Sequence, residues 1–478
     1  MRALLIGLLI QITTTLHAQR NTFDPNRKYH PDSLRKWTTS IMVAISKKHP
    51  GFYRYTSKGK FDYLIDSTKQ TITDSLTELG YYRKLKPLVA QIGCLHTEIH
   101  LSDKYQDYLN KTSTFIPLAT FIDSEKKAFI SKRYDLKQDI PIGGEIISIN
   151  GEPMSDILKK LFNAIPSDGY NETEKILVLN HHFALWYQTI IDVTDNFTVE
   201  ILTEDSLITA SMKGVGIGAF PTWDLLESAN KKQLKFDASD SVGILTVHSF
   251  AKSVIKKNRQ NFKKFIKEVF NRIEKDRIEN LVIDLRYNTG GTDGNAVFLA
   301  SYFFDKPFKY WDKIEVTEAV ANEIKGLYRL FYKKPKKAEG SYRWRKMWLT
   351  NEFDYYETQN PAKNNFKGNT YIITNGLCLS SCADFVAVLS HNKKAIVVGQ
   401  ETGGGFQGNT SGLMPTATMP TGLQITVPLQ KYTTAVDVTK NFGHGTKPDH
   451  EVSPRFDDWI NKKDVEMQHT LNLLKENY

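Results

Sequence analysis

A polar turn with two adjacent glycines is the first place where this chain could do chemistry. Residues 284–291 read Asp-Leu-Arg-Tyr-Asn-Thr-Gly-Gly and follow a short apolar segment. Glycines in such a turn allow positive φ angles and let backbone N–H groups approach a ligand closely, which suits an oxyanion hole or an anion site. Taken alone, the pattern is more typical of a turn at the start of a helix, with Asp284 and Arg286 forming a structural ion pair.

A second junction places two serines where a helix is expected to begin. Residues 375–385 lead from an apolar segment into Ser380 and Ser381. A hydroxyl at a helix start usually caps the helix, but it can also attack a carbonyl while the helix N-terminus favours the developing negative charge. The upstream glycine pair and the glycine run at 403–405 favour the second use, because ligands of α/β sheets gather at the carboxyl ends of strands.

The elements that must position these junctions alternate between strand and helix from about residue 240. Alternation at this spacing predicts an α/β sheet with right-handed crossovers. Residues 305–368 interrupt it without a clean period and are interpreted as an insertion over one edge of the sheet. The expected strands are 242–247, 281–285, 370–374 and 395–398, and the expected helices are 253–276, 295–304 and 381–390.

Two regions of different texture precede this core. Residues 19–112 carry apolar residues at helical spacing and predict a helical N-terminal region. Residues 113–212 show short apolar runs between turn signals, including a Gly-Gly turn, a strand and an Asn-Gly turn within 142–153. A helix is expected over 157–186, as an insertion in that second region.

Four motifs in order resemble the S41 peptidases. They are Asp-Leu-Arg-x-Asn-x-Gly-Gly at 284–291, Ser-Cys-Ala-Asp at 381–384, the glycine-rich run 399–405 and Lys-Pro-Asp at 447–449. This family comprises the C-terminal processing (tail-specific) proteases and their tricorn-like and retinoid-binding relatives. The resemblance covers about 240–455, and it extends to a PDZ-like Gly-Glu-Ile-x-x-Ile-Asn-Gly run within 141–153 and to a Gly-x-x-His-Thr segment at 93–97.

The resemblance implies a multi-domain α/β (α+β) architecture. We expect a helical N-terminal region over 19–112, a PDZ-like domain with a helical insertion over 113–212, and a crotonase/ClpP-like ββα core over 213–478. The insertion at about 305–368 would interrupt that core.

The resemblance also implies the identity of the nucleophile. In the family a serine lies three residues before an acidic residue, and with Asp384 as that acid the serine is Ser381, next to Ser380. The oxyanion donors would be Gly290 or Gly291, helped by a backbone N–H at Ser381 or Cys382.

The general base is expected to be a histidine. Many members carry a lysine in a Gly-Lys-Gly run, but this chain has three glycines at 403–405, so it is similar to the histidine-using, tricorn-like branch. His96 matches the family segment, and a neutral imidazole has a pKa near working pH. His444, in a glycine-rich loop, is the alternative base.

The acid that orients this histidine is harder to assign. Tricorn-like members carry a glutamate where Phe442 stands here, and Leu95 stands where they place a serine before the histidine. Asp449 and Glu451 are the candidates for that acid. A serine–histidine pair without a third partner would be weaker than a full triad.

The N-terminus predicts export. Arg2 precedes a mostly apolar stretch over 3–12, and a short polar segment then leads to Ala18, which is the layout of a secretory signal peptide over 1–18. We therefore expect a periplasmic or secreted protein. Beyond this stretch no apolar run approaches the ~20 residues of a bilayer span, so no integral membrane segment is expected.

The net charge of +10 over 478 residues needs a separate explanation. Much of it lies in 252–277, where basic residues interleave with apolar ones at spacings of three and four. This spacing favours one amphipathic helix with a solvated basic face over a nucleic-acid surface, since no nucleic-acid-binding motif accompanies it.

The three cysteines lack metal-ligand spacing. The resemblance to the S41 peptidases implies a reaction that needs neither a metal nor an organic cofactor. If Ser381 and His96 meet, Cys94 lies near Cys378 and Cys382, and we consider a disulfide from Cys94 to one of these two.

The predicted function is peptide-bond hydrolysis through a Ser381 acyl-enzyme with His96 as general base. The substrate would be a peptide or an unfolded protein that lies extended near the PDZ-like domain and pairs with an exposed strand edge. The alternative is a non-catalytic protein that binds peptides or hydrophobic ligands on the same scaffold, as in the retinoid-binding relatives.

Overall fold

The structure is a computed structural model. It describes residues 23–134, 139–220, 232–330, 332–345 and 357–476. The expected signal peptide at 1–18 lies outside the described residues. None of the described helices combines the length and the apolar character that a membrane crossing requires.

Helices dominate the first described region, as its apolar spacing predicts. Each of the first two connections supplies a capping hydroxyl: Ser57 accepts from the Lys60 N–H and Thr77 from the Gly80 N–H, so these helix starts do not leave all their donors unpaired. The elements are α1 Pro31–Lys48, α2 Lys58–Gln70, α3 Glu78–Ala90, β1 Glu98–His100 and α4 Asp103–Thr112.

An antiparallel sheet with two helices forms the second region. Its strands lie in the order β2-β3-β4-β6-β7, with the short β5 paired to β4. The single helix expected over 157–186 is wrong, because Pro166 and Gly169 interrupt it and residues 165–172 form a connection. The elements are β2 Leu118–Ile122, β3 Ala128–Arg133, β4 Glu145–Ile149, β5 Glu152–Pro153, α5 Met154–Ala164, α6 Thr173–Trp186, β6 Asn196–Leu202 and β7 Leu207–Lys213.

The remainder of the chain has the alternating pattern that its sequence predicts, and the expected strand and helix at 370–374 and 381–390 are confirmed. The elements are β8 Leu234–Ser239, β9 Val242–Val247, α7 Lys252–Lys257, α8 Phe262–Lys275, β10 Asn280–Asp284, α9 Asp293–Ala300, β11 Trp311–Val316, α10 Glu318–Glu323, β12 Lys336–Ala338, β13 Ser341–Arg343, β14 Asn369–Thr374, α11 Ser381–His391, β15 Ile396–Gly399, β16 Thr410–Ser411, β17 Thr416–Thr418, β18 Gln424–Thr426, β19 Gln430–Thr434, β20 His450–Glu451, α12 Phe456–Ile460 and α13 Val465–Glu476.

A six-stranded sheet in the order β20-β15-β14-β10-β9-β8 forms the centre of this part. Adjacent strands of this sheet are parallel, except that β8 pairs antiparallel with β9. Both faces are covered: in β10, Leu281 and Ile283 pack in the main core, whereas Val282 packs in a separate cluster with Leu474 of α13. The mixed α/β fold class is thereby confirmed.

The basic segment 252–277 is not the one helix that its spacing predicts. It forms α7 and α8, separated at residues 258–261, where Arg259 has a φ of 56°. The Asn261 side chain then caps α8 by accepting from the Lys264 N–H, so the second helix has its own start. The apolar stripe still faces the core, since Ile266, Val269 and Phe270 are buried.

Two further sheets connect distant parts of the chain. β11, from the stretch expected to be an insertion, pairs antiparallel with β19 in a sheet of order β12-β13-β11-β19-β16. The third sheet pairs β1 with β18, with Ile99 opposite Ile425. This pairing fixes the segment just after His96 against the C-terminal half of the chain.

Candidate active site

Ser381 is the first residue of α11 and is almost completely buried, with 1% of its surface exposed. Its Oγ has no hydrogen-bond partner among the described residues, and Ser380, at the N-cap, makes no side-chain capping bond. Neither hydroxyl therefore does what a serine at a helix start usually does. Ser380 has φ 53° and ψ −130°, a strained conformation for a residue other than glycine, which sets the direction in which the helix leaves the loop.

The glycine pair packs directly against this serine. Gly290 has a φ of 92°, and a Cβ there would lie 2.9 Å from the Ser380 Cβ and 3.0 Å from the Ser381 nitrogen. Gly291 has a φ of 136°, and a Cβ there would lie 2.2 Å from the Ala251 nitrogen. Both positions therefore require glycine, and the two expected junctions come together in space.

The backbone donors around Ser381 differ in what they already bind. The Gly290 N–H donates to Asn288 Oδ1 over 2.9 Å, and the Cys382 N–H donates to the Leu379 carbonyl over 3.0 Å. The Gly291 and Ser381 N–H groups have no partner within the described part of the chain. Of the expected oxyanion donors, these two are the ones free to bind a developing negative charge.

His96 lines the same cavity as Ser380 and Gly291, a space of about 1150 Å³. Its side chain is half-buried, and its Nδ1 is buried without a partner among the described residues. Burial lowers the pKa of His96, while Asp168, Glu98 and the Thr410 carbonyl act in the opposite direction. The imidazole is therefore held neutral around pH 7, the form that can accept a proton.

Asp168 is a buried acid beside His96 that the sequence did not reveal. Its Oδ1 accepts from the Leu95 N–H and its Oδ2 from the Gly405 N–H, both over 3.1 Å. Burial raises the pKa of Asp168, and the His96 charge and the two N–H donors oppose that rise. The carboxyl thus ties the residue before His96 to the glycine run and lies close enough to act on the imidazole through its charge.

Asp168 was missed because the interpretation of 157–186 as one helix placed it mid-helix. The Pro-Ser-Asp-Gly sequence at 166–169 is a turn signal that could have identified an exposed or functional loop there.

The glycine run at 403–405 leaves no room for a lysine base. A Cβ at Gly404 would lie 2.5 Å from the Ala383 Cβ and 3.0 Å from the Ser380 nitrogen. The run therefore packs its backbone against the start of α11.

His444 and the two acids proposed from sequence lie in other surroundings. The His444 Nδ1 lies 3.3 Å from Glu401 Oε1, and His444 is not among the residues that line the cavity. Asp449 Oδ2 accepts from the Val397 N–H, and Glu451 pairs with Gly399 at the edge of the central sheet. The structure therefore brings His96, and not His444, to the cavity of Ser380 and Gly291. Asp449 and Glu451 instead contact strand β15 of the central sheet.

Asp384, three residues after Ser381, is buried at 2% exposure. It accepts from Trp311 Nε1 and from Asn409 Nδ2, both over 3.3 Å, and burial raises its pKa well above the usual range. Asn409 immediately precedes Thr410, whose carbonyl acts on His96. These contacts connect the first turn of α11 to the surroundings of the histidine.

The disulfide considered from Cys94 to Cys378 or Cys382 is absent from the structure, in which all three cysteines are free thiols. Cys94 Sγ donates to the Thr410 carbonyl over 3.4 Å, and Cys378 Sγ donates to the Leu285 carbonyl over 3.0 Å. Cys94 and Cys378 are thus each engaged with a backbone carbonyl. Among the described residues, no group of three or more His, Cys, Asp or Glu side chains is placed to hold a metal ion.

Two solved structures resemble the fold of this chain. The structure of mature CPAF complexed with lactacystin is similar, with a TM-score of 0.65 and 14% identity over 93% of this chain and 98% of that chain. A second structure of mature CPAF has a TM-score of 0.61 and 13% identity over 91% of this chain and 95% of that chain. At such low identity the likeness shows the fold alone. No curated protein sequence matches the chain significantly.

The family comparison addresses the core directly. Residues 241–452 match peptidase family S41, a range that includes both junctions and the glycine run. The resemblance drawn from the four sequence motifs is thereby confirmed: this part of the chain is similar to peptidase family S41.

Proposed function

We propose that the protein is an exported serine peptidase in which Ser381 is the nucleophile and His96 the general base. One observation carries the proposal. The Ser381 Oγ has no partner within the described residues, it starts a helix beside two required glycines, and His96 lines the cavity formed there by Ser380 and Gly291. A hydroxyl, a neutral imidazole and unpaired N–H groups are the components of acyl transfer.

The reaction follows the usual order for such a set. His96 takes the Ser381 hydroxyl proton as Oγ forms a bond to the peptide carbonyl carbon, and the resulting oxyanion accepts from the Gly291 and Ser381 N–H groups. The C–N bond then breaks, and the imidazolium gives its proton to the leaving amine. Water, activated by the same histidine, hydrolyses the acyl-enzyme and regenerates Ser381.

Asp168 takes the part that sequence reasoning gave to Asp449 or Glu451. A negative charge near His96 stabilises the imidazolium that forms in the transition state. Because both Asp168 oxygens are held by backbone donors, the carboxyl also fixes the position of the 94–97 segment. It is a positioning residue, since it acts through the histidine.

The remaining parts of the proposal rest on sequence pattern and family. The substrate is a peptide or an unfolded protein, bound extended near the PDZ-like region at 113–212, whose sheet leaves β2 and β7 at its edges. Export rests on the N-terminal pattern at 1–18, which would leave a periplasmic or secreted protein after cleavage near Ala18.

Labelling with a serine-reactive fluorophosphonate tests the mechanism. We expect the wild-type protein and Ser380→Ala to become labelled and Ser381→Ala to remain unlabelled, with the adduct located by mass spectrometry of the peptide around residue 381. Equal melting temperatures of the three proteins would show that loss of label is not loss of folding.

Two results would contradict the proposal. Label on Ser380 would show that Ser380, and not Ser381, is the nucleophile. Folded wild-type protein that never reacts, yet binds peptides, would favour the non-catalytic alternative.

A further inference from the structure

The cavity continues from the candidate catalytic groups along a wall of lysines. Lys252 and Lys256 of α7 and Lys263 of α8 line it, and all three side chains are exposed. These residues belong to the basic segment whose charge the sequence left without a role. The break between α7 and α8 gives each helix its own start, and residues of both helices reach the same cavity.

Backbone contacts attach this wall to the oxyanion glycine. The Phe250 N–H donates to the Gly290 carbonyl, the Thr292 N–H donates to the Phe250 carbonyl, and the Lys252 N–H donates to Thr292 Oγ1 over 3.0 Å. The start of α7 is therefore fixed beside Gly291. A peptide whose carbonyl lies at Gly291 would occupy the cavity that these lysines line.

The lysines of the wall have no carboxylate partner among the described residues. By contrast, Lys264 and Arg272 on the same basic segment pair with Glu268 and Asp276. The Lys263 Nζ lies 5.4 Å from the centre of the Phe298 ring, a contact that holds the side chain at the cavity without neutralising it. The wall thus presents uncompensated positive charge to whatever enters.

The other lining residues do not cancel this charge. Asp293 is the only acidic residue among the described residues that line the cavity, and its charge raises the pKa of the buried Asp384 and Tyr310. Gly412, Leu413 and Met414, which come from another part of the chain and also line the cavity, are uncharged. The positive charge is therefore concentrated on α7 and α8.

We propose that Lys252, Lys256 and Lys263 form a subsite for acidic side chains of the peptide, so that the protein selects segments carrying Asp or Glu next to the bond at Ser381. The location of the subsite next to the cleaved bond rests on the proposed function. The preference for binding acidic peptides can be measured without cleavage. Since the lysines are exposed, the preference is modest and weakens as salt increases.

Binding to the Ser381→Ala protein tests the subsite without turnover. The probes are two fluorescein-labelled decapeptides, one alternating Glu with Ala and the other alternating Gln with Ala, followed by anisotropy at 50 and 300 mM NaCl. We expect the Glu peptide to bind at least about fivefold more tightly at 50 mM NaCl and the difference to shrink at 300 mM. Adding K252Q, K256Q and K263Q should abolish the preference.

A matched triple variant controls for net charge. Lys257, Lys267 and Lys275 lie on the same two helices, are exposed and do not line the cavity. Changing them to Gln removes the same three charges and should leave the preference intact. Equal binding of the two peptides, or equal loss in both triple variants, would overturn the subsite.

Two further measurements separate the alternatives. A labelled dT12 oligonucleotide that binds more tightly than the Glu peptide and is displaced by it would assign the lysines to nucleic acid instead. Quenched forms of the two peptides, given to the wild-type protein, report cleavage. Absence of cleavage with a retained Glu preference would count against the peptidase and leave the subsite standing.

Discussion

The regions around His96 and His444 differ in what each imidazole already contacts. His96 follows a buried segment, lines the cavity, and has an Nδ1 without a partner in the described part of the chain. His444 lies in a loop with its Nδ1 3.3 Å from Glu401 Oε1, and the same carboxylate oxygen accepts from the Gly445 N–H and from Asn171 Nδ2. The His96 ring has a nitrogen without a partner in the described part of the chain and lines the cavity of Ser380, whereas the His444 ring is part of a loop network.

This difference teaches that proximity of a histidine to an acid is a poor guide to a general base. The His444–Glu401 pair would look like two members of a triad in a residue list. The His96 ring, whose Nδ1 has no partner among the described residues, lines the cavity of Ser380 and Gly291 and lies within range of the buried charge of Asp168. Catalysis needs a base whose accepting nitrogen is not already used in the fold.

Replacing each histidine by alanine should give the largest separation between the two regions. His96→Ala removes the proton acceptor, and we expect kcat for a peptide substrate to fall roughly a thousandfold or more. His444→Ala should change kcat by less than about threefold, with a small loss of melting temperature, because it removes only a loop contact. If the His444 variant lost activity while the His96 variant kept it, the two assignments would have to be exchanged.

Asp168 tests whether charge matters in the His96 region. Asp168→Asn should lower kcat by about tenfold to a hundredfold, because the imidazolium of the transition state loses its counter-charge. Asp168 raises the pKa of His96, so its removal should also move the acid limb of the pH–kcat/KM profile to lower pH.

Glu98→Gln is the control for that variant. Glu98 also acts on His96, but its carboxylate is already bound to Lys86 and His100, and we expect less than about a threefold loss. A loss of activity in Asp168→Asn without movement of the acid limb would reduce Asp168 to a structural role.

The pH dependence of the wild-type protein tests whether the buried His96 ring is the base that controls the reaction. Burial lowers the pKa of His96 from 6.5, and only the neutral ring can accept the serine proton. kcat/KM should therefore rise with pH through a midpoint below 6.5, so that the protein still works in mildly acidic solution. A midpoint above 6.5 would indicate that the buried His96 ring does not control the reaction.

His49, a third histidine close to His96, isolates the effect of burial on stability. Its Nδ1 accepts from the Gly51 N–H, and burial lowers its pKa to about 3. In the unfolded chain His49 takes up a proton below about pH 6.5, whereas in the folded chain it stays neutral. The contribution of His49 to the unfolding free energy is therefore fully present above about pH 6.5 and is lost as the pH falls towards 3.

Between pH 7 and 5 this one group should remove about 2 kcal/mol from the unfolding free energy. His49→Asn keeps an acceptor for the Gly51 N–H and cannot titrate, so its loss over the same range should be smaller by that amount. Urea unfolding of both proteins at the two pH values measures the difference. Identical pH dependence would show that His49 is not buried as described.

The local parts of the fold and site could be predicted because they depend on short patterns. Apolar runs of strand length followed by glycine or serine junctions gave β10, β14 and α11 within a residue or two, and the glycines at 290 and 291 are required by close backbone contacts. A periodic spacing of apolar residues predicts the buried face of a helix or strand, and a glycine pair indicates a tight turn. Neither needs knowledge of distant residues.

The parts that failed depend on interruptions and on long-range contacts. One long helix was expected over 157–186 and another over 253–276, but each of these segments forms two helices. The helical spacing of apolar residues continues across each break, so the spacing alone does not reveal where the first helix ends. Asp168 lies in the first break and the lysine wall flanks the second. Which acid meets His96 is decided by tertiary packing between residues 95, 168 and 405, which no local pattern encodes.

The pairing of β1 with β18 has a consequence for how the protein is made. The segment after His96 is held by a strand that follows Ser381 in the chain, at residues 424–426. A nascent polypeptide that has emerged only as far as α11 carries the serine but lacks both β18 and Gly405, so the segment that carries His96 is held only in part. The proposed hydrolytic pair therefore assembles late in synthesis, so topology itself delays the onset of proteolysis until the chain is nearly complete.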